Sequence, residues 1–255
     1  MTAVNSAHRQ LSYDIRFEWG LSGAKAVAPE CDLAVVVDVL SFTTTLSVAL
    51  DAGITVLPFR VRGDEAQAYA QHNDAVLAVG RSVARGDQIS LSSPTIRDRA
   101  LPPERLVLPS PNGSTICYEF AEAVSCVVGG CLRNVDAIGQ WVAAEFPDGA
   151  RISVIAAGEK WPDGTLRPAV EDLWGAGALI SAIAGHGRRR TLSPEARMAG
   201  AAWTAIEAEL PAALEACSSG RELIDAGYPR DVSIAAELNG SHVVPVLRRD
   251  RFVPA

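Results

Sequence analysis

Apolar runs without alternation recur along the chain. Each is followed by a polar turn and then by a segment whose apolar positions repeat at helical spacing. The densest is residues 33–50, LAVVVDVLSFTTTLSVAL. Leu33 to Val37 is unbroken and Val-rich, the pattern of a strand buried on both faces. Comparable runs at 54–59, 75–79, 105–108, 124–128 and 152–156 predict five more strands. The helices between them run to Gly53, His72, about Ala123, Phe146 and Gly185. Residues 13–19, YDIRFEW, alternate and predict a half-exposed edge strand. Pro58 has no N–H for a ladder and is expected at a strand end or an edge.

Alternation of strand and helix over residues 33–185 predicts an α/β chain with a three-layer α/β/α arrangement and a mostly parallel sheet. Past Gly185 the pattern becomes helical. Ser193-Pro194-Glu195 opens a helix with Pro at its first position, broken near Pro211, and short helices follow around Glu222 and Ser233. Residues 243–247 read as a returning strand with Pro245 on an edge. The expectation is one domain over 1–255, with a helical C-terminal segment at 186–255. Residues 81–104 mix Arg, Asp, Ser, Pro and Gly and read as a long loop over the sheet edge, a length often tied to function.

Composition narrows the partners. At 48% hydrophobic the chain is globular. A net charge of −7, with no basic tract longer than Arg188-Arg189-Arg190, argues against nucleic acid. An anionic ligand would then need local help from helix N-termini, Arg or a divalent cation. Five scattered cysteines without a CxxC read as reduced thiols in a cytoplasmic protein. No signal pattern and no apolar run of membrane-spanning length is found, so no membrane partner is expected. The Ala-rich segment 194–217 suits either a homodimer surface or packing within the chain.

Four strand ends carry polar residues that parallel strands would bring to one edge, where ligands bind in open α/β sheets. After the first strand come Asp38, Ser41, Thr43 and Thr44, where hydroxyls at a helix start suit capping or an anion. Ser110-Pro111-Asn112-Gly113-Ser114-Thr115 is either a phosphate-binding turn or an Asn-Gly turn with an N-cap. Gly129-Gly130-Cys131 with Asn134 ends another strand, and Gly158-Glu159 the last. Glu171-Asp172 opens the next helix, where acidic residues also complement the helix dipole. Asp38, Glu159, Glu171 and Asp172 form a set of hard oxygen donors suited to Mg²⁺. Asp38 and Glu159 are the candidate catalytic groups. Ser41, Thr43, Thr44, Asn112, Gly113, Ser114, Cys131 and Asn134 are the candidates for the phosphate of a small anionic substrate. No G-x-S-x-G elbow and no Gly-Lys-Ser/Thr loop occurs. The four histidines lie outside these turns. A structural cysteine is the plainer reading of Cys131, and a thiolate the alternative.

At these residues the chain resembles the 2-phosphosulfolactate phosphatase (ComB-like) family. The matching pieces are Val37-Asp38-Val39-Leu40 with Thr43-Thr44-Thr45, Ser110-Pro111-Asn112-Gly113-Ser114, Cys131-Leu132-Arg133-Asn134, Ala157-Gly158-Glu159, and Glu171-Asp172 with Ala176-Gly177. A looser match runs through Asp231 and Val244-Pro245. The resemblance implies a three-layer fold and Mg²⁺-dependent hydrolysis of a phosphate ester on a small acidic hydroxy acid, in coenzyme M synthesis. The chain departs from the family pattern at Gly80-Arg81-Ser82-Val83, where an acidic residue has become Arg81, and at Ser92-Ser93-Pro94, where an Asn has become Ser92. An anion-binding or regulatory protein of reduced turnover is the alternative function.

Overall fold

The computed structural model describes residues 4–61, 63–121, 123–186 and 189–255; Arg188 of the basic tract lies outside them. The strands are β1 (Ile15–Trp19), β2 (Leu33–Val37), β3 (Thr55–Phe59), β4 (Val76–Leu77), β5 (Arg105–Pro109), β6 (Val127–Gly130), β7 (Ile152–Ala156), β8 (Glu159–Lys160), β9 (Leu166–Arg167), β10 (Pro245–Arg248) and β11 (Arg251–Pro254). The helices are α1 (Gly20–Val27), α2 (Phe42–Asp51), α3 (Asp64–His72), α4 (Pro94–Arg97), α5 (Gly113–Phe120), α6 (Val135–Glu145), α7 (Val170–Gly185), α8 (Pro194–Thr204), α9 (Leu210–Ala216), α10 (Ser218–Asp225) and α11 (Pro229–Ala235).

Among the described residues nine strands make one sheet in the order β1-β7-β2-β6-β10-β11-β3-β5-β4, and β8 and β9 form a separate hairpin. The strands β1, β7, β2 and β6 are mutually parallel, as are β3, β5 and β4. The hairpin β10–β11 joins the two blocks and is antiparallel to its neighbour on each side. Counted across the hairpin, the blocks therefore run in opposite senses. The sheet is mostly parallel, as expected, but its strand ends do not all share one edge.

Each face of the sheet buries its own core. Leu33, Val35 and Val37 of β2 pack with Leu179, Ile180 and Ile183 of α7 and with Ala196, Ala199 and Trp203 of α8. Ala34 and Val36, pointing the other way, pack with Phe42 and Leu46 of α2 and with Val27 of α1. All five residues of β2 are fully buried, which is what an unalternated run between two helical layers requires. A side chain of this size contributes roughly 1.5–3 kcal/mol on full burial, so the run anchors both layers.

Several local expectations change. β1 is at the edge of the sheet but is not half-exposed: Ile15, Arg16 and Phe17 are buried because α1 and α8 cover them. Neither proline is on an edge strand. β3 meets β11 at the single pair Val56–Phe252, and β10 meets β6 at the single pair Val246–Val128. Both Pro58 and Pro245 lie outside those pairs. Gly129 and Gly130 are inside β6 and not in a turn. A Cβ on Gly129 would stand 2.5 Å from Leu46 of α2, and one on Gly130 2.6 Å from Leu179 of α7, so these glycines let both helices lie close to the sheet. Segment 81–104 is not an open loop: Ile89, Leu91 and Ile96 are buried within it. Ala196 and Ala199 of α8 are buried within the chain, in the same core as α7, whereas Ala201 is exposed. Among the described residues no helix is long and apolar enough to cross a membrane, and all five cysteines are free.

Candidate active site

Asp38, directly after β2, is the hub. Its Oδ1 accepts from the Phe42 N–H at the start of α2 (3.0 Å). Its Oδ2 accepts from the Gly113 N–H at the start of α5 (2.9 Å) and from the Ser110 hydroxyl (3.4 Å). One carboxylate therefore caps two helices, and it draws the β5 turn of the opposite block to the end of β2. Gly113 is required by this approach, since a Cβ there would stand 2.7 Å from Asp38 Oδ2 and 2.8 Å from a Phe42 ring carbon. Ser41 and Asn112, expected as N-caps, make no side-chain cap bond; the Asp38 carboxylate takes the first N–H of each helix instead.

Asp172, in the first turn of α7, does similar work. Its Oδ1 accepts from Val39 N–H (2.7 Å) and its Oδ2 from Gly158 N–H (2.8 Å), tying the end of β2 to the end of β7. Glu171 beside it is buried, and its Oε2 has no hydrogen-bond partner. Glu159 follows Gly158, and its Oε2 accepts from the Asn112 amide (2.9 Å).

Burial raises the pKa of Asp38, opposed by its N–H and hydroxyl donors and reinforced by the charge of Glu171. Asp172 is pushed well above the usual carboxylate range, first by burial and then by the charges of Asp38 and Glu171. Glu159 is raised from 4.5 to about 7, by burial and then by Asp38. A set of carboxylates this buried with no cation beside it resists full ionisation. Among the described residues no basic side chain forms an ion pair with any of the four, and no group of three or more His, Cys, Asp or Glu is placed to hold a metal by itself.

The site opens into a cleft of about 480 Å³ lined by Leu40, Arg81, Glu159, Lys160, Arg167 and Ser219, among others. Glu159 and Arg167 are register partners in the β8–β9 hairpin. Arg167 also donates to Ser219 Oγ (3.2 Å) and lies over the Trp161 ring. Across the cleft Arg81 donates to the Ser41 hydroxyl and to Asp231 Oδ1 of α11 (3.1 Å). Asp231 Oδ2 accepts from the Ser92 hydroxyl (2.6 Å).

The structure thus brings together Asp38, Ser41, Asn112, Gly113, Glu159 and Asp172, with Glu171 close enough for its charge to act on them. The other expected phosphate contacts face the protein. Thr43 Oγ1 takes the Asp38 N–H and donates to the Asp38 carbonyl. Ser114 donates to the Phe59 carbonyl. Thr44 is buried beside the Cys131 thiol, which burial pushes up and away from thiolate. Asn134 fastens the turn after β6 by accepting from Cys131 N–H (2.9 Å). These residue types at a helix start suit capping as well as anion binding, and here the backbone claims Thr43, Ser114 and Asn134, while the buried Thr44 hydroxyl has no hydrogen-bond partner. Lys160, Arg167 and Asp231 were not among the expected site residues. Lys160 directly follows Glu159 in the sequence, whereas Arg167 becomes its neighbour only through the hairpin.

Fold and site together define an α/β protein with a buried carboxylate cluster beside a cleft lined by Arg81, Lys160 and Arg167 as well as Glu159 and Glu222. The model of the family described as 2-phosphosulpholactate phosphatase matches residues 24–250. A probable 2-phosphosulfolactate phosphatase of Parasynechococcus marenigrum is 31% identical over 84% of this chain and 88% of its own length. Proteins of the same name from a Synechococcus strain and from Deinococcus radiodurans are 29% and 26% identical, over 84% and 88% of this chain and 86% and 91% of theirs. The chain belongs to the 2-phosphosulpholactate phosphatase family.

Proposed function

We propose that the protein hydrolyses a phosphate monoester of a small acidic hydroxy acid, 2-phosphosulfolactate and water giving sulfolactate and phosphate, with Mg²⁺ as cofactor. The observation that carries this reading is the Asp38 carboxylate, held by the N–H groups that open α2 and α5, within electrostatic reach of Glu159, which lines a cleft with Arg81, Lys160 and Arg167. The family membership supports the substrate.

The donor set fits a hard divalent cation of the kind that takes one or two carboxylates, substrate oxygens and water. Glu171 Oε2 is buried without a partner, and the charge of Glu171 makes ionising Asp38 more costly. Asp38 and Glu171 are the residues that would hold the ion. Asp172, which like Asp38 has both oxygens on backbone N–H groups, ties the ends of β2 and β7 beside that pair. Bound there, Mg²⁺ would neutralise charge on the transferring phosphoryl group.

The chain's own residues supply the rest. Lys160 and Arg167 give the cleft a positive wall for an anionic ester. Asn112 fixes Glu159 through Oε2, which leaves Oε1 to carry a proton. With its pKa at about 7, Glu159 keeps that proton near neutrality, the condition for a general acid. It passes the proton to the ester oxygen as the O–P bond breaks, and the alcohol leaves neutral. Water adds to phosphorus, and its proton leaves with the phosphate. The test is phosphate release from a panel of phosphorylated hydroxy acids, with Mg²⁺ and with a chelator. Release that needs Mg²⁺ and favours acidic esters is the expected outcome; equal release under chelation removes the metal from the account.

A further inference from the structure

We propose that Arg81 is the specificity-determining residue of the cleft: it receives an acid group on the substrate's carbon skeleton, and Asp231 holds it in place for that task. The inference rests on the phosphatase reading and extends it. It names the residue that separates acidic esters from other phosphate monoesters.

Arg81 lines the same cleft as Glu159, Lys160 and Arg167. Its guanidinium is anchored by one nitrogen alone, with Nη2 donating both to Ser41 Oγ and to Asp231 Oδ1. The Nε–H is buried and has no partner. A buried donor without an acceptor costs roughly 1–3 kcal/mol, so the arrangement is completed by an acceptor brought from outside. A guanidinium presents several N–H groups in one plane and matches the oxygens of a carboxylate or sulfonate better than a point charge does.

The anchor is built for position. Asp231 is 2% exposed, and its second oxygen is occupied by the Ser92 hydroxyl at 2.6 Å. The Arg81 side chain is 17% exposed against 1% for that of Asp231, so the arginine is the solvent-facing member of the pair. The Arg81 guanidinium carbon also lies 6.0 Å from the centre of the Tyr228 ring. Aspartate, serine and ring leave few orientations to the arginine. Its link to Ser41 then sets it three residues from Asp38 along the chain.

Two of the three partners, Asp231 and Tyr228, come from the C-terminal helical segment. That segment thereby supplies selectivity to a site whose carboxylates come from residues 38–172.

The experiment compares wild type, Arg81→Ala, Arg81→Lys and Asp231→Asn, each checked for folding by its melting curve. Calorimetric titration with sulfolactate, which has no phosphate, reads the acid subsite without requiring turnover. Titration with inorganic phosphate reads the other end of the cleft. Arg81→Ala should weaken sulfolactate at least tenfold and leave phosphate within about twofold, Arg81→Lys should recover part of the loss, and Asp231→Asn should fall between. Equal sulfolactate binding by wild type and Arg81→Ala overturns the proposal. So does an equal loss of sulfolactate and phosphate, which would make Arg81 a phosphate ligand. Should Arg81→Ala not fold, the Arg81→Lys and Asp231→Asn titrations decide by the same criteria. Phosphate release by wild type from 2-phosphosulfolactate is measured alongside. Its absence refutes the phosphatase reading separately, with the sulfolactate titrations still deciding the role of Arg81.

Discussion

Asp38 and Asp231 are both nearly sealed from solvent, at 5% and 2% exposure, yet they are satisfied in different ways. Asp231 faces a guanidinium and a hydroxyl, so its charge is neutralised within the chain. Asp38 faces two backbone N–H groups and a distant hydroxyl, and its charged neighbours are Glu171, Asp172 and Glu159. Burying like charges without a counter-ion is unfavourable. The structure tolerates it at one place and avoids it at the other. The paired site is a fixture; under the proposed function the unpaired one would take an external cation and the reacting group.

Removing the Asp38 charge should have the largest effect. Asp38→Asn keeps the size, but its amide NH₂ must face one of two N–H donors, so a loss of about 1–3 kcal/mol in stability accompanies the change. Turnover should fall by at least about a thousandfold, on the order of 4 kcal/mol of barrier. Steady-state phosphate release together with a melting curve checks both. A variant that melts early yet keeps its specific activity would reduce Asp38 to a helix cap.

Asp231→Asn should reverse the pattern. It leaves Arg81 without its counter-ion, and breaking a buried pair costs about 3–5 kcal/mol. Because Arg81 is partly exposed, roughly 2–3 kcal/mol is expected here, read by denaturant unfolding. Turnover on an ester without a further acid group should change much less than in Asp38→Asn. If the two variants lose activity alike, the distinction between paired and unpaired carboxylates fails.

The smallest effect is on pH dependence. Glu159 has a folded-state pKa of about 7 against an ordinary 4.5, so the folded state keeps a proton that the unfolded chain releases at lower pH. Stability without metal should therefore decline as pH rises from about 4.5 through 7. Glu159→Gln should make that decline shallower, leaving the part that the raised pKa values of Asp38 and Asp172 contribute. In the active enzyme it should also remove the fall in rate above pH 7 expected of a general acid. A Glu159→Gln protein with an unchanged pH profile would assign the proton transfer elsewhere.

The same contrast shows what could be read from the chain. Asp38, Glu159, Glu171 and Asp172 were legible because each closes a buried apolar strand or opens a helix beside one, where a carboxylate needs a reason. β2 and α2 were legible for the same hydrophobic pattern. The double cap was not, because Asp38 and Gly113 are 75 residues apart and local sequence assigns caps to the nearest hydroxyl. The ion pair between Arg81 and Asp231 spans 150 residues and leaves no local trace. β11 escaped because Arg248-Arg249-Asp250-Arg251 reads as a polar tail and prolines flank the hairpin. Its central place in the sheet follows from tertiary pairing at Val246 and Phe252.

The most direct test is calorimetric titration of Mg²⁺, with inorganic phosphate present, into wild type, Asp38→Asn and Asp231→Asn. Binding by wild type and Asp231→Asn with similar affinity, and its loss in Asp38→Asn, is the predicted result. Undiminished Mg²⁺ binding by Asp38→Asn would contradict the claim that the unpaired carboxylates are the seat of the cation and of the chemistry.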